Sequence, residues 1–168
     1  MKRSNSGRAM AIAILAATSG HVLAVDPVHQ ALGAALRCEG DALEVVRELA
    51  AAANTRAGEG FIGYEIGEEM DTISGVALQR PLQIGSAKTH NVVASLAGLY
   101  QDFTGIVLAQ FEGPHAPVVE KLKLAPSENG NFVRAVPTGE ADEVCPPTIE
   151  LRPLEGDRFL LGCGWCNG

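Results

Sequence analysis

The residue types most suited to chemistry are two cysteines near the C-terminal end, in the stretch Cys163-Gly164-Trp165-Cys166. Two cysteines separated by two residues can exchange disulfides when the first thiol lies at a helix N-terminus, which lowers its pKa. Only two residues follow Cys166 in the sequence, so the helix that such a site requires is not predicted. We therefore interpret both cysteines as members of structural disulfides. A periplasmic thiol-disulfide oxidoreductase that uses Cys163 and Cys166 is the alternative.

The other two cysteines, Cys38 and Cys145, allow three disulfide pairings with this pair. They lie too far apart to supply the second close pair of a zinc ribbon. A hairpin predicted over the last two strands directs Cys163 into the core and places Cys145 within a residue of Cys166. Cys38 ends a predicted helix that must pack on the same core. We therefore predict the disulfides Cys38–Cys163 and Cys145–Cys166.

No catalytic constellation is recognised elsewhere. The histidines after the N-terminal region are His29, His90 and His115, and none has the spacing of a helical zinc pair. Nucleophile-elbow and phosphate-loop motifs are absent from the sequence. Four carboxylates cluster between residues 65 and 71, but their spacing does not match a calcium loop, and we interpret them as a solvated turn. The sequence predicts no metal and no cofactor, and it favours a non-enzymatic protein. An envelope hydrolase with an unrecognised site is a further alternative.

Two polar stretches between apolar segments are candidate binding loops. They read Lys-Thr-His-Asn from Lys88 to Asn91 and Glu-Gly-Pro-His from Glu112 to His115. Binding residues are commonly carried by loops that a rigid scaffold positions. The candidate binding residues are Lys88, His90, Asn91, Glu112 and His115.

The N-terminal region predicts export. Lys2, Arg3 and Arg8 precede an apolar run over Ala9–Ala17, and small or aliphatic residues precede position 25. Polar residues at 18–21 interrupt the run well before the roughly 20 residues needed to span a bilayer. We expect residues 1–24 to be a signal peptide and residues 25–168 to form one soluble domain. This domain is expected to be periplasmic or secreted, where disulfides persist, without membrane insertion after signal removal.

The charge balance favours some partners over others. The chain has 20 acidic and 13 basic residues, with a formal net charge of −7. Removal of the predicted signal peptide takes away three basic residues and changes this charge to −10. Nucleic-acid binding is disfavoured, because it depends on basic side chains that neutralise phosphates. A basic protein would be attracted instead.

Helix signals occupy the start of the predicted domain. Asp26 is a suitable N-cap before Pro27, and an apolar face of helical spacing continues to Cys38. Asp41 is a second N-cap, for a helix predicted to end near Ala53. These two helices precede a region of strand-like patterning that starts after Gly60.

Short strands separated by turn residues predict an antiparallel sheet after Gly60. Thr104–Phe111 is the most apolar of them and is predicted to be the central strand, with Leu108 in the core. Val118–Leu124 fits a strand or a short helix, and we predict a strand. Asn129-Gly130 indicates a hairpin from that strand to Phe132–Val136. The other predicted strands are Phe61–Ile66, Ile73–Gln79, Leu82–Ile84, His90–Leu96, Thr148–Arg152 and Phe159–Cys163.

These elements predict an α+β fold in which two N-terminal helices pack on an antiparallel sheet of about five to seven short strands, braced by disulfides. Export, size, acidity and disulfide bracing are typical of a binding protein. We expect a non-enzymatic binding module of the cell envelope, such as an inhibitor or immunity-type protein that caps a basic secreted protein. Binding to such a partner should weaken as salt rises.

Overall fold

A computed structural model describes residues 26–52, 60–67, 72–95, 105–137, 139 and 146–165. The predicted signal peptide, the carboxylates at 68, 69 and 71, and Cys145 and Cys166 lie outside the described residues. The helices are α1 (Pro27–Ala35), α2 (Ala42–Ala52) and α3 (Ala116–Leu122). The strands are β1 (Phe61–Ile66), β2 (Ile73–Ile84), β3 (Ala87–Ser95), β4 (Gly105–Glu112), β5 (Ala125–Pro126), β6 (Phe132–Ala135), β7 (Thr148–Leu154) and β8 (Arg158–Trp165).

The strands form one antiparallel sheet in the order β1-β2-β3-β4-β8-β7-β6-β5. Strands β1 to β4 are a meander, and β5 to β8 are a second meander that returns to pair β8 with β4. The predicted central position of the apolar strand at residues 104–111 is confirmed, since β4 and β8 are the two middle strands. The number of strands exceeds the predicted five to seven.

One face of the sheet, called the helix-covered face, packs against α1 and α2. Its residues alternate along each strand, as in Val107, Ala109 and Phe111 of β4, and all three are buried in one core with Leu32 and Val46 of the helices. Helix α2 contacts β1, β2, β3 and β4. The opposite face of the sheet is called the open face.

Both predicted helix starts are confirmed. The Asp26 carboxylate accepts a hydrogen bond from the Val28 N–H at 3.0 Å, and Pro27 occupies the first turn of α1. Asp41 accepts one from the Glu44 N–H at 3.1 Å ahead of α2. These side chains satisfy amide donors that have no partner inside a helix.

The prediction of a strand over Val118–Leu124 is wrong, because α3 occupies this stretch. Pro117 lies in its first turn, and Val118 and Leu122, four residues apart, are both buried on one side. Lys123 ends the helix with a left-handed backbone, at φ 54°. The helices are therefore not confined to the N-terminal part. With seven to eleven residues, no helix in the described residues is long and apolar enough to cross a membrane.

The hairpin predicted at Asn129-Gly130 is present, but its first strand is β5 rather than the segment 122–124. It pairs Pro126 with Phe132 and Ala125 with Val133. Gly130 has φ 82°, a conformation that glycine adopts without a steric penalty.

Strand β2 continues through Pro81, where two separate strands were predicted. The register with β3 shifts between Ala77 and Leu82, which opens an irregular segment around this proline. Such a bulge accommodates a residue that has no N–H to donate to the ladder. The polar stretch Lys88 to Asn91, expected to be a connecting bend, also lies inside a strand, β3.

The final hairpin and its disulfide agree with the predictions. Leu151 lies opposite Leu161, and Ile149 lies opposite Cys163, which is 2% exposed. Cys38, just after α1, is bonded to Cys163 with a Cα–Cα distance of 5.1 Å. This disulfide joins the first helix to a middle strand across 125 residues of sequence. The predicted bond between Cys145 and Cys166 lies outside the described residues.

Acid should weaken the fold through Asp26, which connects α1 to β2. Burial opposes ionisation of this carboxylate, but its bond from Val28 and the nearby His29 and Arg80 outweigh that effect and hold the pKa of Asp26 below its ordinary value. Arg80 Nη2 lies 2.8 Å from Asp26 Oδ2.

A lowered folded-state pKa of Asp26 stabilises the protein above the unfolded pKa of about 4, and this contribution is lost as pH falls through the folded value. Thermal unfolding of Asp26→Asn should therefore show a smaller loss of Tm between about pH 5 and pH 2 than the parent. Equal losses would contradict this role.

Candidate functional site

The open face presents the alternate residues of the middle strands. Val93 of β3 lies opposite Leu108 of β4, and Leu108 lies opposite Gly162 of β8. Val93, Leu108 and Leu160 are half-buried, in contrast to the buried residues that alternate with them. Leu108, expected in the core, therefore lies on the open face, although β4 is a middle strand.

Two adjoining depressions on this face form what we call the open-face groove. The first has a volume of ≈ 360 Å³ and includes the candidate binding residues His90 and Asn91. The second is much smaller, with ≈ 10 Å³, and has a floor of Gly162 and Gly164. Leu108 and Leu160 border both. Val93 and Gln110 also line the first depression, and Glu150 and Arg152 also line the second.

The glycine floor is required by strand packing. A Cβ added to Gly162 would lie 2.2 Å from the carbonyl oxygen of Val107, closer than any side chain can approach. The sheet therefore carries no side chain at this point, between the side chains of Leu108 and Leu160. This makes a shallow apolar depression in the centre of an antiparallel sheet.

Tyr64 of β1 continues the open face to the edge of the sheet. Its ring covers Gly75, where an added Cβ would lie 2.1 Å from the ring. The Tyr64 hydroxyl donates to Asn91 Oδ1 at 2.9 Å, which orients this amide at the groove. Asn91 is thus held in place by a side chain from two strands away.

The structure brings together four of the five candidate binding residues. Lys88 and Glu112 are register partners at one end of β3 and β4. His90 lies in the irregular part of β3, where its Nδ1 is 3.0 Å from the carbonyl oxygen of Leu78, and Asn91 follows it. His115 is separate, because it precedes α3 and its ring lies 5.9 Å from that of Phe132.

The apolar groove residues Val93, Leu108 and Leu160 were not among the sequence candidates. The signal that identifies Leu160 is the alternation in β8, where large buried residues 159, 161 and 163 alternate with Leu160, Gly162 and Gly164. Strand β4 offers no such signal, since it is apolar at five consecutive positions, 105 to 109.

The charged residues around the open-face groove have both signs. Glu150 and Arg152 of β7 lie beside the glycine floor, and Lys88, Glu112 and Arg158 occupy one row across β3, β4 and β8. In the described part of the chain, no three His, Cys, Asp or Glu side chains are grouped so that they can hold a metal ion. The groove is an apolar surface with a polar rim, which is the usual composition of a protein-binding surface.

Another concavity lies around the disulfide. It has a volume of ≈ 550 Å³ and is bordered by Asp41, Leu43, Pro147 and Trp165. Cys163, the first cysteine of the Cys-Gly-Trp-Cys stretch, is bonded to Cys38. The sulfur that would have to attack a substrate disulfide is therefore buried and already paired.

No protein-family model matches the chain, and comparison with curated proteins and with solved structures finds no match either.

Proposed function

We propose that the protein is a non-enzymatic binding module of the cell envelope and that its open-face groove binds a basic protein, as an inhibitor or immunity-type protein does. The observation that carries this proposal is the asymmetry of the sheet. One face is buried under α1 and α2, whereas the opposite face holds half-buried Leu108 and Leu160 around a glycine floor.

The shape of the groove favours a protein over a small molecule. Small-molecule sites are enclosed and have volumes of about 300–1,000 Å³. The depression over Gly162 and Gly164 has only ≈ 10 Å³, and the adjoining one, although it has ≈ 360 Å³, is open and spreads over three strands. A broad, shallow and largely apolar surface suits the flat contact between two proteins.

The charge of the whole chain favours a basic partner. A formal net charge of −7 attracts such a protein over distances beyond direct contact and raises its association rate. The mixed charges at the groove itself, including Glu150 and Arg152, then fix orientation in the complex. Apolar contact of the partner with Leu108 and Leu160 then slows dissociation of the complex.

A charged substitution in the groove should weaken binding strongly. Leu160→Glu replaces an apolar contact between the two depressions by a carboxylate, and the cost of removing its hydration under the partner exceeds what Arg152, its register partner in β7, or a basic group of the partner returns. We expect the affinity for a partner captured from envelope extract to fall by about 30-fold or more, which corresponds to about 2 kcal/mol. Biolayer interferometry with the captured and purified protein measures this loss. The matched control is Ala51→Glu, which adds the same charge on the exposed side of α2.

Several outcomes decide the proposal. The parent and Ala51→Glu should retain the same basic protein, and both should release it as salt rises through the physiological range. Leu160→Glu should fail to retain it while keeping the circular dichroism spectrum and Tm of the parent. Equal retention by all three proteins would place the contact elsewhere, and a consistently acidic partner would exclude the charge argument.

A further inference from the structure

The two edges of the sheet differ in how well they are protected from pairing. Strand β5 at one edge has two residues, one of which is Pro126. Strand β1 at the other edge has six residues and contains neither proline nor lysine. Short strands, prolines and lysines are the usual means by which proteins prevent edge strands from pairing with other chains. In the described part of the chain, β1 has none of these three features, and its charged side chain is Glu65.

The backbone of β1 offers regularly spaced hydrogen-bonding groups on its outer side. The Gln79 N–H donates to the Gly60 carbonyl oxygen at 2.9 Å, which continues the β1–β2 register. Residues bonded to one neighbour alternate with residues directed away from it in an antiparallel ladder. Ile62, Tyr64 and Ile66 therefore direct their backbone groups towards β2. The N–H and C=O groups at 61, 63 and 65 point outwards.

The side chains of β1 add an apolar stripe beside this edge. Ile62 and Ile66 are 63% and 60% exposed, and they are the two exposed large apolar side chains among the described residues. Their register partners Ala77 and Ile73 place both on the open face, on either side of Tyr64. An exposed edge with a row of β-branched side chains is suited to pairing with another strand.

We propose that β1 pairs with β1 of a second copy, about a two-fold axis at Tyr64. Ile62 of each copy then lies opposite Ile66 of the other, and the two Tyr64 residues lie opposite one another. Gly63 and Glu65 of opposite copies exchange backbone hydrogen bonds, because both direct these groups outwards. Every opposed pair in this register shares a face of the sheet, as antiparallel pairing requires.

The charge on β1 disfavours one of the two neighbouring registers. Shifting the pairing by two residues towards the end of β1 would place the two Glu65 carboxylates opposite one another, and like charges in opposed positions are destabilising. In the proposed register each Glu65 lies opposite Gly63. The self-complementary arrangement is of the kind that a two-fold interface requires.

The dimer would present two binding surfaces on one side. Because opposed residues share a face, the open faces of both copies form one surface, on a sheet of sixteen strands with eight from each copy. The helices of both copies lie on the other side. A pair of open-face grooves can engage two sites of a partner, which increases the apparent affinity.

Sedimentation equilibrium of the full chain tests the dimer. Each copy carries a formal charge of −7, so salt should strengthen self-association by screening their repulsion. This dependence is opposite to that of binding to a basic protein, and the two proposals can therefore fail separately. Ile62→Lys should shift the protein to a monomer, whereas Ala51→Lys on the exposed side of α2 should leave the dimer intact. A monomer at all concentrations, or a dimer unaffected by Ile62→Lys, would overturn the proposal.

Cysteine cross-linking tests the register. In the double variant Ile62→Cys and Ile66→Cys, the opposed residues lie about 5 Å apart and should form intermolecular disulfides under mild oxidation. In Ile62→Cys alone, the two new cysteines are offset by four residues along the strands, about 14 Å, and should not form a disulfide. Peptide mapping should find position 62 linked to position 66. Cross-linking of the single variant, or a dimer in which the double variant does not cross-link, would contradict the proposed axis.

Discussion

Replacing Cys38 and Cys163 together by alanine should lower the free energy of unfolding by about 2–5 kcal/mol. The disulfide closes a loop of 125 residues, and loop entropy alone predicts about 5 kcal/mol from this restriction of the unfolded chain. It also attaches the end of α1 to the buried side of β8. Urea unfolding monitored by Trp165 fluorescence measures the change. The double substitution avoids leaving one reactive thiol in the unfolded state.

The matched control removes the other two cysteines, Cys145 and Cys166. If they are bonded to each other, as the sequence predicts, the loop has about 20 residues and its loss should cost about 3 kcal/mol or less. The Cys38 and Cys163 variant should thus be the less stable of the two. A fragment linking positions 163 and 166 in the unreduced parent protein would contradict this pairing and would favour the oxidoreductase alternative.

Phe111→Ala should cost about 3–5 kcal/mol of stability. The Phe111 ring is fully buried on the helix-covered face. It stacks on Phe159 of the neighbouring strand, with ring centroids 5.3 Å apart and an interplanar angle of 4°. Truncation removes the apolar surface and leaves a cavity that β4 and β8, hydrogen-bonded along their length, cannot close. Thermal and urea unfolding both report the loss.

Leu108→Ala is the control for that substitution, since it lies on the same strand and faces the other way. Leu108 is half-buried at the open-face groove, so its truncation exposes little new surface and should cost about 1 kcal/mol or less. It should still weaken partner binding. Equal losses of stability for the two variants would show that the open face is packed as tightly as the helix-covered face.

The residues that line the open-face groove could be predicted only in part. Polar residues inside apolar surroundings are visible in a sequence, and two of the residues selected in this way, His90 and Asn91, line the groove. Leu108 could not be recognised, because a continuously apolar strand does not reveal which of its residues face the helices. The position of Leu108 on the open face depends on which face α1 and α2 cover.

The sequence by itself determined the elements whose signals are local. Asp26 and Asp41 cap helices because their short carboxylates reach free amides within three residues. The last hairpin could be aligned because the short turn at 155–157 pairs Leu151 with Leu161, and this register places Ile149, Leu151, Leu161 and Cys163 on a single face. That register directed Cys163 into the core, and the pairing with Cys38 followed.

Only the tertiary structure decided the features that depend on distant segments. The stretch 118–122 has apolar residues at spacings that suit either a helix or a strand, and burial of Val118 and Leu122 in a shared core favours the helix. The return of the second meander to pair β8 with β4 creates the middle of the sheet and the groove above Gly162. The exposure of β1 likewise depends on its position at the end of the strand order. Local patterns encode conformation, whereas these surfaces arise from contacts between residues far apart in the chain.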